Sequence, residues 1–293
     1  MVLVRDRCIS SCYARTAILE IYESFGEEMI YKEEGTLISI ERLGERLFRL
    51  KIYSPVLSQK ALPGNFCHLK VNEGYSPLLR RAFSFHQVER ERHNFDMLFK
   101  VVGPGTELLS RKNPGDKLGL LAPLGNSFAL PKKGEAAVLL AGGMGIAPLF
   151  YLLDHLLKRK FSPEKITLFY GVKTKDELVL LEELSSLGIR LHLATEDGTI
   201  GYKGMLTGLF LQELKEKRLK SKKTKFYACG PNPMLKRISE TSKKYNLSCQ
   251  ISLENHMPCG IGACFGCVVD TIRGYKRVCK DGPIFDAGEV IFD

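Results

Sequence analysis

Four cysteines near the C-terminal end constrain this chain more than any other feature. The stretch reads Cys259-Gly-Ile-Gly-Ala-Cys264-Phe-Gly-Cys267, and after eleven more residues comes Cys279. This is the Cys-x4-Cys-x2-Cys…Cys spacing of a [2Fe–2S] ligand loop, in which three thiolates crowd one turn and the fourth returns to them. Gly260, Gly262 and Gly266 let the backbone turn with positive φ, so that its N–H groups point inward at the sulfurs. Structural zinc also uses four cysteines, but usually as two short pairs on two knuckles. A disulfide framework suits short secreted chains, and this one has 293 residues and no secretory signal pattern. The spacing therefore predicts Cys259, Cys264, Cys267 and Cys279 as cluster ligands, and a protein that moves electrons.

That length allows two domains with real cores and a small appendage. Hydrophobic content of 44% and charged content of 26% are those of an ordinary soluble globular chain. The other cysteines (Cys8, Cys12, Cys67, Cys229, Cys249) are scattered, as buried free thiols in a reducing cytoplasm would be. No apolar run is long enough to span a membrane as a helix. The net charge of +10 gathers in segments such as 215–225, where lysines mix with acids near a helix end. That is the pattern of a solvated face rather than of a nucleic-acid surface, although it would also attract anionic cofactors or an acidic partner.

Taken in order, the chain reads as a multi-domain β plus α/β protein. Residues 1–34 fit poorly with the rest of the chain and are expected to be an N-terminal extension dispensable for chemistry. The short apolar segment Ala17–Tyr22 lacks a small-residue cleavage site, and a true start at Met29 is equally open. Residues 35–131 show short alternating runs such as Leu47–Tyr53, Asn65–Val71 and Phe95–Val102, which predict a small antiparallel β-barrel. Residues 132–248 alternate strand and helix, which predicts a parallel sheet. Residues 249–293 form the cluster domain, with a hairpin over 268–278 that returns the fourth thiol to the other three. His256, three residues before Cys259, is read as lying outside a ligand set that is already complete.

Glycine turns mark two further candidate sites. The strand Ala136–Ala141 runs into Gly142-Gly143-Met-Gly145 and then a helix, the generic anion site of nucleotide-binding folds, although tight packing alone can demand such glycines. In the barrel, Leu79-Arg80-Arg81-Ala82-Phe83-Ser84-Phe85 precedes the turn Gly103-Pro-Gly105-Thr106, whose amides are free to cradle a phosphate. On its own that strand is equally an ordinary edge strand with alternating faces.

Together these two barrel stretches resemble the flavin site of the ferredoxin–NADP reductase superfamily. The resemblance implies FAD on Arg81, Ala82, Phe83 and Ser84. Arg81 would neutralise the pyrophosphate, Phe83 would lie against the isoalloxazine, and Ser84 would hydrogen-bond near its reactive edge. Leu98, Phe99 and Lys100 would pass along the cofactor, and Gly105 and Thr106 would bind phosphate through N–H groups. Arg81 is preferred to Arg80 because it stands three before the serine. Cys229-Gly230-Pro231-Asn-Pro-Met234 resembles the nicotinamide-side motif of the same superfamily. Cys229 there is read either as a neighbour of the nicotinamide or as a buried thiol with no catalytic role. Lys173 and Lys175 are either solvated or contacts for a 2′-phosphate.

The three parts in this order resemble the electron-transfer subunits of class B dihydroorotate dehydrogenase, from about Gly35 to the C-terminus. The most specific piece is Met-Pro-Cys259-Gly-Ile-Gly-Ala-Cys264-Phe-Gly-Cys267 with Arg277-Val-Cys279-Lys-Asp-Gly-Pro. Ala82-Phe83 stands where that family often carries Pro-Ile. The resemblance implies a cytoplasmic oxidoreductase component of UMP biosynthesis. Electrons would pass from an FMN-containing catalytic subunit, in a heterotetramer of two of each chain, through the [2Fe–2S] cluster and FAD to NAD+. The physical logic is independent of the family. A nicotinamide takes a two-electron hydride and an iron–sulfur centre passes single electrons, so a flavin must convert between them. Two rivals stay open. One is a diaphorase-type subunit of a ferredoxin–NADP transhydrogenase, sulfite reductase or hydrogenase, some of which put an aspartate among the cluster ligands. The other is a zinc-stapled binding module.

Overall fold

The computed structural model describes residues 20–22, 29–74, 76–216, 219 and 223–292. Most of the expected extension, 1–19 and 23–28, lies outside the described residues.

The N-terminal half forms one curled antiparallel sheet. Its strands are β1 (Glu20–Tyr22), β2 (Ile30–Arg42), β3 (Leu47–Tyr53), β4 (Phe66–Lys70), β5 (Arg81–Ser84), β6 (Gln87–Glu89), β7 (Asn94–Lys100) and β8 (Lys117–Leu124). Helix α1 (Leu57–Lys60) follows β3, and α2 (Pro104–Ser110) follows β7. The strands lie in the order β5-β4-β8-β2-β3-β7-β6, with β1 paired to β2. The two ends of that order, β5 and β6, are separated in the chain only by Phe85 and His86, so the sheet must curl until its edges meet. Side chains that share the inner face of the strands supply the interior, among them the buried Leu37, Leu50, Ile52, Leu69, Phe95 and Leu120. The expected barrel is therefore present, with β2 starting at Ile30, ahead of the expected boundary at 35.

The second half is a parallel sheet with helices on its faces. It runs β9 (Ala136–Gly142), α3 (Ile146–Lys158), β10 (Ile166–Val172), α4 (Leu181–Ser186), β11 (Arg190–Thr195), β12 (Tyr202–Lys203), α5 (Leu206–Lys215), β13 (Thr224–Cys229), α6 (Asn232–Tyr245) and β14 (Ser248–Ser252). Strand β10 is buried along its whole length, as expected of a strand covered on both faces. From β9 the chain builds outward through β10, β11 and β12, then returns to the other side of β9 as β13 and β14. The order of strands thus reverses between β9 and β10 on one side and β13 on the other. A crevice outside the carboxyl ends of such strands is where doubly wound sheets bind nucleotides.

The cysteine segment comes next as β15 (Val268–Val269), β16 (Lys276–Arg277) and α7 (Val278–Asp281), and the chain returns as β17 (Ile284–Asp286). Strand β17 pairs antiparallel with β14, Ile251 opposite Phe285. The expected boundary at 248/249 falls inside β14, which pairs with β13 from Lys225↔Ser248 to Cys229↔Ser252. The cysteine segment is thus an excursion between two edge strands of the parallel sheet. Two ion pairs tie barrel to sheet domain, Arg49 to Glu183 at 2.5 Å and Lys100 to Glu177 at 2.7 Å.

Candidate functional site

A cleft of about 640 Å³ opens between β5, β7 and the stretch after β14. The two arginines that lead into β5 divide their work. Arg80 turns back onto the barrel, where its Nη1 donates to the carbonyl oxygens of Gly119 at 2.5 Å and His68 at 3.3 Å. Arg81 donates to the Leu79 carbonyl at 2.5 Å and lies over the glycine turn, so close that a Cβ on Gly105 would meet its Nε at 2.7 Å. The amides of Gly105 and Thr106 head α2, ahead of its first bond from Glu107 N–H to the Gly103 carbonyl at 2.9 Å. The Thr106 hydroxyl is spent on the turn itself, accepting from Val102 N–H at 2.9 Å and Gly103 N–H at 3.2 Å. A guanidinium above side-chain-free backbone with outward amides is a donor set that fits a pyrophosphate.

Around this anion-binding corner, Ala82, Phe83, Ser84, Leu98 and Phe99 line the cleft. Phe83 tilts against Phe99 at 5.9 Å, and Phe99 stacks on Phe48 at 5.4 Å, so the ring wall is braced from behind. Lys100 lines the cleft as well, with its ammonium committed to Glu177. Glu254, which nothing in the sequence singles out, lies on the same wall. As a residue it opens to solvent, but the surrounding walls desolvate its carboxyl and raise its pKa above the usual range. A lone glutamate after a short strand carries no signal in sequence.

A second cleft, of about 720 Å³, lies at the carboxyl ends of β9 and β13 and is lined by Gly142, Gly143, Met144, Glu196, Pro231 and Met234. Here Gly142, Gly145 and Gly230 are spacers, while Gly143 takes a left-handed φ of +53 with open space around it. A Cβ on Gly145 would fall 2.0 Å from the Cys229 carbonyl oxygen, and one on Gly142 would fall 2.5 Å from Met234 Sδ. Gly230, at φ +158, abuts Gly142 in turn. Cys229 is buried, and burial pushes its thiol far above the ordinary range, so it is not a reactive nucleophile. Lys173 reaches the cleft. Lys175 does not line it, and its N–H is bonded to Thr199 Oγ1 at 3.1 Å.

The cysteine loop is held by its backbone. Gly260 at φ +73 and Gly262 at φ +80 take the left-handed turns expected of them. Gly266 does not: Phe265 adopts the positive φ of 57, and Gly266 is needed for room, since a Cβ there would press on Pro258 at 3.0 Å. The expectation that all three glycines turn left-handed is corrected accordingly. Amides do point at sulfur, Gly262 N–H to Cys279 Sγ at 3.2 Å, Gly266 N–H to Cys264 Sγ at 3.4 Å and Cys279 N–H to Cys267 Sγ at 3.4 Å. Burial raises the Cys279 thiol. Burial works the same way on Cys259, but the amides of Cys264, Ile261 and Ala263 outweigh it and hold that thiol down to about 7.

The expected hairpin is present, Val268 opposite Arg277, and Val278 N–H bonds the Cys267 carbonyl at 3.0 Å to bring Cys279 home. Arg277 clasps the loop: it pairs with Asp281 at 3.1 Å, donates to the Gly262 carbonyl at 3.2 Å and lies 5.3 Å over the Phe265 ring. Among the described residues no three Cys, His, Asp or Glu side chains converge as one metal ion requires. A two-iron cluster spreads its four thiolates over two irons, and amides aimed at sulfur suit its charge. His256 is exposed at the surface. Beneath Gly260 lies His68, wholly buried, whose burial and whose neighbour Arg80 lower its pKa to about 4.

Comparison with known proteins agrees with this geometry. Residues 254–291 match the model of the iron-sulfur cluster binding domain of dihydroorotate dehydrogenase B, and residues 139–240 match an oxidoreductase NAD-binding domain. The chain is 36% identical over 271 residues to the electron transfer subunit of dihydroorotate dehydrogenase B (NAD(+)) of Bacillus caldolyticus, covering 90% of this chain and 100% of that one. It is 32% identical to the corresponding subunit of Desulforamulus reducens, covering 89% and 98%. Among solved structures, an NADH-dependent reduced ferredoxin-NADP oxidoreductase studied for flavin-based electron bifurcation superposes with a TM-score of 0.78 at 30% identity, over 88% of this chain and 90% of that one. A ferredoxin NADP+ reductase from Neisseria gonorrhoeae, solved with FAD and NADP, shares the fold at a TM-score of 0.63 and 23% identity, over 73% and 91%. With relatives this similar over nearly their whole length, the chain belongs to the family of electron transfer subunits of dihydroorotate dehydrogenase B.

Proposed function

We propose that this chain accepts electrons from a dihydroorotate-oxidising partner subunit and delivers them, through a [2Fe–2S] cluster and FAD, to NAD+ in pyrimidine biosynthesis. The observation that carries this reading is the arrangement of four cysteines, with backbone amides turned onto three of their sulfurs, beside a cleft whose arginine-over-glycine corner fits a flavin pyrophosphate. When bound, the cluster supplies one-electron chemistry, the flavin couples it to two-electron chemistry, and the nicotinamide carries the hydride.

The chain's own residues divide the rest. Cys259, Cys264, Cys267 and Cys279 hold the irons. Arg81, with the amides of Gly105 and Thr106, neutralises and positions the flavin's phosphates. Phe83 excludes water from one face of the cleft, and Ser84 and Ala82 form its floor. Gly142, Gly145 and Gly230 keep two turns close enough to form the nicotinamide crevice, which Gly143 and Pro231 line. Glu254, its carboxyl held toward the neutral form by desolvation, can hold a proton at the wall of the flavin cleft.

The exposed Cys264 lies in the loop between two exposed apolar side chains, Ile261 at 46% and Phe265 at 63%. Apolar side chains beside a redox centre support docking of the partner on that side. We further propose the FMN-containing catalytic subunit as that partner, two of each chain per assembly, in the cytoplasm. No helix among the described residues is long and apolar enough to cross a membrane.

The test is anaerobic co-expression with the candidate catalytic subunit. The complex should form NADH from dihydroorotate, while this chain alone reduces dyes with NADH and leaves dihydroorotate untouched. Dihydroorotate oxidation by the isolated chain would refute the division of labour. The likeness to the bifurcating ferredoxin-NADP oxidoreductase favours a second reading, a diaphorase-type subunit of a multi-cluster complex. Co-purification with such a complex in place of an FMN subunit would establish it.

A further inference from the structure

His68 carries no signal in the sequence, and the structure puts it in an unusual position. It lies in the middle of β4, wholly buried, and neither ring nitrogen has a hydrogen-bond partner among the described residues. Its ring packs edge-on against Phe66 at 5.7 Å, and its carbonyl accepts from Arg80. The other side of the ring faces the cysteine loop. A Cβ built on Gly260 would lie 2.7 Å from both Cε1 and Nδ1 of His68. Gly260 directly succeeds Cys259 and is turned left-handed, so the loop passes over the imidazole with nothing between them.

A buried, neutral imidazole carries one N–H donor and one lone pair. Leaving such a donor unsatisfied costs roughly 1–3 kcal/mol, and proteins seldom keep such a residue on a core strand where leucine would serve. Leu69, the next residue in the strand, shows the alternative in place. On its own strand His68 has Phe66 for a neighbour, and across the sheet it pairs with Ala82, neither of which offers an acceptor side chain. What lies over the ring is the turn that presents Cys259. When loaded, this turn holds anionic sulfur, and hydrogen bonds to cluster sulfurs are among the factors that set a cluster's potential.

We propose that His68 is a positioning residue for the cluster: from the flavin barrel, its imidazole N–H donates a hydrogen bond to the sulfur shell at the Cys259 end of the loop. The bond joins the strand paired with the flavin strand to the electron-entry loop, and it favours the reduced cluster by stabilising its added negative charge. The inference rests on the iron–sulfur reading of the four cysteines, and its failure is distinct from the failure of that reading. Protein purified without iron and sulfide would refute the reading itself. The inference is tested only on protein that holds a full cluster.

The decisive experiment is pulsed electron paramagnetic resonance of the dithionite-reduced holoprotein labelled with 15N only in histidine. A histidine nitrogen coupling to the cluster is expected. It should persist in His256→Ala, which removes the other histidine near the loop, and disappear in His68→Phe. Redox titration should show the cluster of His68→Phe about tenfold harder to reduce, equivalent to ~59 mV for one electron, and His68→Gln, which keeps an N–H, should recover part of the shift. If His68→Phe does not retain its cluster, the labelled wild-type protein and His68→Gln still decide the matter. No histidine coupling in the labelled wild-type protein, a coupling lost in His256→Ala, or a shift in the flavin potential with the cluster unmoved would each overturn the proposal.

Discussion

Two glycine-rich turns border the candidate sites, and at their tightest points they use glycine for different reasons. In the cysteine loop, Gly260 and Gly262 sit at φ +73 and +80, and the missing side chain gives the backbone a conformation that aims amides at sulfur. At the end of β9, Gly145 has an ordinary helical φ of −59. There the missing Cβ gives room, because the Cys229 carbonyl oxygen lies 2.0 Å from where that atom would be. Gly262 is needed mainly for its torsion angles and Gly145 for its neighbours, whereas Gly260 is needed for both, because a Cβ there would press on the His68 ring at 2.7 Å. Position 262 can accept another residue tolerant of left-handed backbone, and position 145 cannot.

Substitutions can test that contrast, the most severe first. Cys267→Ser should abolish the cluster outright while the flavin remains bound, as read by iron, sulfide and flavin content, because Cys267 is buried and bonded into the loop by Cys279 N–H. Gly145→Ala should destabilise the chain by ~3 kcal/mol or more in denaturant titration, since a backbone carbonyl has nowhere to retreat. Gly145→Asn should be no better. An unimpaired Gly145→Ala variant would end the spacing argument.

The barrel turn is an intermediate case. A Cβ on Gly105 meets only the movable guanidinium of Arg81. Gly105→Ala should therefore leave stability nearly unchanged and weaken FAD binding by roughly tenfold, and Arg81→Ala should weaken it by roughly 10–100-fold, the range for charge-assisted bonds. Arg80→Ala should cost stability instead, because its bonds go to barrel carbonyls. The smallest effect belongs to Gly262→Ala, ~1 kcal/mol of torsional strain met mainly by a flexible Lys280 side chain. Gly262→Asn should be milder still, since asparagine tolerates the left-handed region. Equal penalties for alanine and asparagine at Gly262 would break the distinction between the two turns.

The same contrast explains what can be read in the sequence. Cysteine spacing is local, so the ligand loop and its hairpin are legible residue by residue. So are β9, β13 and the Asn232–Tyr245 helix, whose patterns are written within a few turns of chain. The different orientations of Arg80 and Arg81 depend on a long-range bond, Arg80 to the Gly119 carbonyl, which no local pattern announces. Gly266 is misread from sequence because a positive φ and a crowded neighbour leave the same letter, and the neighbour here is Pro258. Strand β17 is only three residues long, and its partner strand lies far back in the chain, Ile251 opposite Phe285. His68 and Glu254 are silent for the opposite reason: each is a common residue in an unremarkable string, made notable only by what folding sets beside it.

The pairing of β17 with β14 also has a mechanical consequence. Both ends of the cysteine loop are stitched into the edge of the sheet whose strand ends form the Gly142 crevice. The spacing between the cysteine loop and that crevice is therefore fixed by hydrogen-bond register, like two rungs on one ladder, rather than by a hinge. A slip of one residue along that ladder would displace the loop by ~3.3 Å, so insertions or deletions at 253–258 or 280–283 should act as changes in the length of the wire.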